Sequence, residues 1–247
     1  PQAQATTQPV IYQSHNLFNP YLGYGTFVMP AIIMVIIQQT LLIGIGMIGG
    51  TWREFGLYRK LCPPDRKRMS TLPIVLGKAT VYGLIYAVTT FYILGLHYRL
   101  FHYPMNGATG TVVVFMLAYL AACIFLGIAI STLFRYRENS LLLLLWTSIP
   151  LLMLSGVSYP REGIPDWLFN FGQLFPSSHG VDGFIRIQSM GASLGEVLPE
   201  IRMLCILTLI YGGLVKLIGL ACIGIHQVIG REQRERLAQR MNDKEEY

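Results

Sequence analysis

Residues 27–50 read FVMPAIIMVIIQQTLLIGIGMIGG, a run without one charge, and residues 51–74 that follow, TWREFGLYRKLCPPDRKRMSTLPI, carry six Lys and Arg. About 20 predominantly apolar residues let a helix cross the ~30 Å hydrocarbon core of a bilayer. A basic stretch beside such a helix marks its cytoplasmic side. This junction therefore sets both fold class and orientation. Four further apolar stretches repeat the pattern, at 75–98, 111–134, 141–157 and 203–229, of which 141–157 is the shortest. The fold class is an all-α polytopic membrane protein with five transmembrane helices in this chain.

Placement of the basic residues orients all five. The segments before 27, at 99–110 and at 158–202 hold 4 Lys and Arg together, while 51–74, 135–140 and 230–247 hold 13, and the two sets alternate without exception. The amino end is thus extracytoplasmic and the tail cytoplasmic. The chain divides into a lead-in, 1–26, a membrane domain, 27–229, and a charged tail, 230–247. Pro1 to Val10 lacks the basic and apolar regions of a signal peptide. An outside start with five spans then leads to the expectation that an earlier span, with an outer domain, precedes Pro1 in the natural product.

Composition agrees with this. The 247 residues are 53% hydrophobic and 13% charged, against roughly 25% charged in a soluble domain, and mean hydropathy is +0.47. Disorder needs the opposite balance. Four cysteines make no disulfide framework. The net charge of +6 is explained by the membrane flanks, so nucleic acid is not a partner.

All thirteen acidic residues fall outside the five spans, so no carboxylate relay for an ion-driven carrier is present. Gly77-Lys78-Ala79-Thr80 ends like a phosphate-binding loop, but Leu72 stands where its first Gly belongs. Energy for active transport would have to come from another polypeptide.

Between the first two spans, Trp52, Phe55, Tyr58, Leu61 and Cys62 recur at helical spacing among Arg53, Glu54, Arg59 and Lys60, and Pro63-Pro64 stops the pattern. This predicts an amphipathic surface helix over 52–62, either a lipid anchor or a docking surface for a cytoplasmic motor. In 158–202, Asp166 is positioned to cap a helix bearing Trp167, Leu168, Phe171, Leu174 and Phe175, closed by Pro176. That helix is re-entrant or interfacial.

Other patterns have plainer readings. Gly44-x-Gly46-x-x-Gly49 fits a dinucleotide fingerprint but lies inside an apolar span; Gly46-x-x-x-Gly50 instead allows close helix packing. Gly191-Ala192-Ser193-Leu194-Gly195 fits a hydrolase elbow with His179 as base, while Ser193 and Glu196 fit a capping box, with Pro199 ending or kinking the capped helix. The five histidines share no metal-ligand spacing, and no metal site is expected. Cys123, Cys205 and Cys222 read as apolar fillers. Lys78 snorkels to its nearby surface. Lys216 lies near the middle of 203–229, where an ammonium costs roughly 2.5–3.5 kcal/mol, so it is a pathway candidate or a locally hydrated structural lysine.

Asn19-Pro20, Arg53-Glu54-Phe55-Gly56, Gly77-Lys78, Leu154-Ser155-Gly156 with Tyr159-Pro160, Pro165-Asp166-Trp167 and Phe175-Pro176 occur in an order and spacing that resembles the membrane subunit of type-2 ABC exporters (the ABC-2 permease family), in particular its multidrug and daunorubicin-type branch. The resemblance runs from about Asn16 to Gly230. It implies spans 2 to 6 of a six-span subunit in the bacterial inner membrane. It further implies pairing with a second permease copy or paralogue and docking of cytoplasmic ABC ATPases that hold ATP and Mg, no cofactor being bound directly. The coupling helix would be 52–62, with Trp52, Arg53, Glu54, Phe55, Gly56, Tyr58, Arg59 and Lys60 meeting the ATPase. The outer re-entrant segment would be 163–200, with Ser155, Gly156, Pro160, Pro165, Trp167 and Phe171 at a substrate path or outer gate alongside Lys216. Leu57 departs from the Thr often found there in the family. Rival functions are a membrane serine hydrolase using Ser193 and His179, and a non-transporting scaffold for an ATPase.

Overall fold

The computed structural model describes residues 24–55, 71–134, 136–156, 159 and 163–218. Among the described residues every regular element is helical. Helix α1 spans Tyr24–Glu54. Helix α2, Thr71–Phe91, continues through a π-helical stretch, Tyr92–His97, into a last turn, Tyr98–Leu100. Then come α3, Thr109–Ser131, α4, Arg137–Leu154, α5, Asp166–Gly172, α6, Pro176–Met190, and α7, Leu198–Ile218.

Among the described residues, four helices are long and apolar enough to cross a membrane: Gly25–Glu54, Leu72–Leu100, Thr109–Ser131 and Leu198–Ile218. The fifth predicted span, 141–157, falls on α4, which does not join them. Its 18 residues rise ~27 Å at 1.5 Å each, its first turn carries Arg137 and Glu138, and Pro150 interrupts it.

Helices α1 and α3 form the core, each with 61% of its most apolar window buried, against 22% in α7 and 6% in α2. Helix α1 packs on α3, α4 and α6, and its glycines explain how closely. A Cβ at Gly49 would lie 2.8 Å from Cβ of Ser131, one at Gly50 would lie 2.8 Å from the Arg137 backbone, and Gly46 abuts Ser140. Small residues thus bring backbones together, as the Gly46-x-x-x-Gly50 spacing predicts. On α6, Gly180 and Gly183 make way for the rings of Tyr119 and Phe115 of α3.

The helix-ending signals in 163–200 work differently from their sequence reading. Asp166 is the first residue of α5 and makes no side-chain cap; the Pro165 carbonyl accepts from the Leu168 and Phe169 N–H groups instead. Pro176 opens α6 rather than closing α5, and Pro199 lies in the first turn of α7. Proline fits a first turn because its missing N–H has no partner there anyway. Gly191, at φ 68°, ends α6 in the left-handed conformation that glycine adopts without strain.

Candidate functional site

Two places along the bundle hold most of the residues singled out by sequence, and a third holds polar residues that were not read as a group. At one end, where α1 finishes and α2 begins, basic side chains gather. Lys78 Nζ sits 4.3 Å from the centre of the Trp52 ring, a cation–π distance. Arg53 Nη1 donates to the Phe134 carbonyl at 3.5 Å, joining α1 to the end of α3. Phe55 N–H donates to Thr51 O, and its ring is exposed. Trp52, Arg53 and Glu54 are therefore the last turn of α1, not the opening of a separate surface helix. Gly56, Tyr58, Arg59, Lys60 and the rest of the expected coupling helix lie outside the described residues.

At the other end, Ser155 is buried after α4 with its Oγ donating to Leu152 O at 2.6 Å, and Gly156 adopts φ 77°. Helix α5 comes back against this turn, Gly172 lying beside the Leu154 side chain. Trp167 and Phe171 project outward, 72% and 51% exposed, with Phe171 edge-on to Phe175 at 5.5 Å. Pro165 precedes α5, and Pro160 lies outside the described residues.

Between the two ends is a polar cluster that the sequence reading missed. Gln38, midway along α1, donates through Nε2 to Ser177 Oγ at 3.2 Å, and its Oε1 faces Cys123 Sγ at 3.7 Å. Tyr119 OH donates to Met34 O at 2.6 Å, Ser178 Oγ donates to Gly172 O at 2.7 Å, and His179 Nε2 lies 3.1 Å from Gln173 O. All six of these side chains are buried. Cys123 is thus a member of a polar network rather than a mere filler. The cluster sets the depth of α6. Its first turn meets the middle of α1 and α3, and its last meets Gly107 and Asn106 just before the start of α3. The chain after α4 accordingly dips to mid-bundle and returns. Non-helical backbone at that depth needs protein partners, and Ser178 and His179 supply them. The signal was present as Gln38-Gln39 inside an apolar run and Ser177-Ser178-His179 after a proline.

Lys216 belongs to none of these groups. It lines a groove with Leu72, Val75 and Leu76 from the start of α2. Those residues open α2 close to the Trp52–Lys78 contact, so Lys216 lies at the level of the basic end. Lys216 and the Ser155–Phe171 group are not brought together.

The hydrolase pairing does not form. His179 lies in the first turn of α6 and Ser193 beyond its far end, with eleven residues or ~17 Å of helix between His179 and Met190 alone. Ser193 instead gives its N–H and Oγ to Glu196 Oε2 at 2.7 and 2.8 Å, so only the Glu-to-backbone half of the predicted capping box forms, and it closes a turn ahead of α7 and does not cap the helix itself. These two bonds, the backbone one first, hold the Glu196 carboxyl below the usual carboxylate range.

Comparison with known proteins agrees with this architecture. The sequence profile of the ABC-2 family transporter protein matches residues 1–216. The probable multidrug ABC transporter permease YbhR of Escherichia coli K12, and its counterpart in strain O157:H7, are 25% identical over 193 residues, covering 78% of this chain and 52% of each relative. The chain thus spans about half the length of the curated relatives it matches. No solved structure matches. With a bundle of apolar helices, a basic end and a short helix pair reaching mid-bundle in place, and a family match over nearly all of the described residues, the chain belongs to the ABC-2 family of transporters.

Proposed function

We propose that this chain is the permease of an ATP-driven exporter in a bacterial inner membrane, moving a hydrophobic or amphipathic substrate outward with work supplied by a partner ATPase. The substrate class is a drug, lipid or lipid-linked glycan. The basic end faces the cytoplasm, α4 completes the crossing begun at Arg137, and ATP and Mg stay on the partner. A second permease copy or paralogue and lipid share the exposed faces of α2 and α7.

One observation carries the reading: Trp52–Glu54 are continuous with α1. A helix has no hinge between its turns, so a push on that last turn is a push on the span. Helix α1 touches α3, α4 and α6, so the displacement reaches the re-entrant pair and the Ser155–Phe171 end. Trp52, Arg53, Glu54, Phe55, Gly56, Tyr58, Arg59 and Lys60 form the docking surface, and Ser155, Gly156, Pro160, Pro165, Trp167 and Phe171 the outer gate. Lys216, now at the cytoplasmic level, stands at the inner mouth of the path.

The test is charge reversal, Arg53→Glu with Glu54→Arg, in a complex reconstituted with its ATPase. Substrate-stimulated ATP hydrolysis should fall while membrane insertion is kept. Unchanged stimulation would refute the docking mechanism. A wild-type complex whose ATPase ignores every substrate tried would make the chain a scaffold instead.

A further inference from the structure

At the basic end, α2, α3 and α7 do not close on one another. They leave a groove of about 250 Å³ whose walls include Leu72, Leu76, Phe125, Leu209, Gly213 and Lys216. Two adjacent glycines make the space. A Cβ at Gly213 would meet nothing within 4 Å, and one at Gly212 would only reach the Phe125 ring at 3.5 Å. Thr208 also lines the groove, but its hydroxyl is taken by Leu204 O at 2.8 Å. The groove therefore offers a ligand apolar wall along its length and one cation at its mouth. Lys216 makes no hydrogen bond or ion pair with another described residue, and no acidic residue lines the groove.

We propose that this groove holds one acyl chain of an anionic phospholipid of the inner leaflet, with the headgroup phosphate on Lys216. Depth supports that occupant. Gly212 lies against Phe125, six residues before the end of α3 at Ser131, and Lys216 is one turn further along α7 in the same direction. Its ammonium thus reaches the headgroup level, where anionic lipids gather around basic flanks. Size supports it too. Pockets that enclose a drug-sized molecule run to roughly 300–1,000 Å³, whereas this smaller, open groove suits a chain segment. Charge discriminates further: the one polar group at the mouth is the Lys216 ammonium, which favours an anionic headgroup over an uncharged one and repels a cationic amphiphile.

The inference rests on the orientation proposed above, with the basic end cytoplasmic, and on nothing concerning the ATPase. The permease, purified intact without partner or nucleotide, is placed in phosphatidylcholine vesicles containing traces of phosphatidylglycerol or phosphatidylcholine with a photoreactive group in one acyl chain. Wild type should be labelled in α2, α3 and α7 by phosphatidylglycerol about fivefold more than by phosphatidylcholine, the preference one lysine confers at an anionic surface. Lys216→Gln should abolish the preference, Lys216→Arg should keep it, and Gly213→Leu, which fills open space, should reduce labelling by both lipids. Equal labelling of wild type by the two lipids overturns the proposal, as does labelling that survives Gly213→Leu. A disulfide between two copies at Gly213→Cys also overturns it, because the occupant is then a second chain. None of these outcomes touches substrate-stimulated ATP hydrolysis, so the site and the transport mechanism fail separately.

Discussion

Replacing Gly50 by alanine puts a methyl group 2.8 Å from the backbone N and Cα of Arg137 and 2.9 Å from the carbonyl carbon of Tyr136. Backbone atoms have no rotamer with which to yield. Ordinary contact begins near 3.4 Å, so α1 and α4 must part by several tenths of an ångström at this point. Overpacking of this kind costs about 1–3 kcal/mol. Alanine inside a helix recovers up to about 1 kcal/mol over glycine, which leaves a net loss of about 1 kcal/mol. Gly44 lies in the same helix with nothing within 4 Å of its Cβ position. There the clash is absent and only the propensity gain remains, so Gly44→Ala should be neutral or stabilising. The assay is thermal unfolding of both variants in detergent micelles, read by helical circular dichroism. Equal stabilities for the two variants would refute the claim that backbone approach at Gly50 holds α1 on α4. Because Trp52–Glu54 follow directly on α1, Gly50→Ala should also lower substrate stimulation of the partner ATPase, which Gly44→Ala should not.

Further outcomes follow from the cluster and the two ends. Gln38→Leu leaves the buried Ser177 hydroxyl without its partner, a loss of about 1–3 kcal/mol; in a double-mutant cycle with Ser177→Ala the coupling should be about 0.6 kcal/mol, and strict additivity would refute the bond. Trp52→Leu and Lys78→Met should each remove the same cation–π contribution of about 0.5–1 kcal/mol, so combining them should cost less than the sum of their separate losses in the same unfolding assay. The Glu196 carboxyl is held low by the Ser193 N–H and hydroxyl. A depressed folded value stabilises above the unfolded carboxylate value, and that stability is lost as pH falls through the folded one. Amide protection in the Ser193–Glu196 turn, taken relative to the intrinsic exchange rate at each pH, should therefore fall on acidification in wild type and show no such step in Glu196→Gln.

Much of the fold is legible because a bilayer restricts what a sequence can do. Four of the five apolar stretches yield helices able to cross, and the glycine spacing at 46 and 50 predicts a close approach that occurs. The misreadings share a cause. Pro176 and Pro199 read as stops for the helices before them but act in the first turns of α6 and α7, since a proline that stops one helix is chemically the same as one that starts the next. Asp166 reads as a side-chain cap but is itself the first residue of α5, and Lys216 reads as mid-membrane from its place in an apolar run, whereas the groove it shares with Leu72 puts it at the basic end.

The turn at Trp52–Glu54 was legible as residues but not as a continuation of α1, because the change from span to surface is marked by composition and not by any break in backbone hydrogen bonding. The polar cluster was missed altogether. Gln38, Ser177 and Cys123 are distant in sequence, and each alone is an unremarkable residue in an apolar setting.

The sequence by itself determined that the chain is helical, lies in a membrane and carries its positive charge at one end, because burying backbone in hydrocarbon leaves few structures and fixed charge cannot stay there. Only the tertiary structure decided that α6 starts at mid-depth on Gln38, that α4 lies against the glycines of α1, and that Lys216 guards a groove at the basic end. Those are matters of which faces meet, and helix faces are matched by packing and by hydrogen-bond partners drawn from remote segments, neither of which is written in any single stretch.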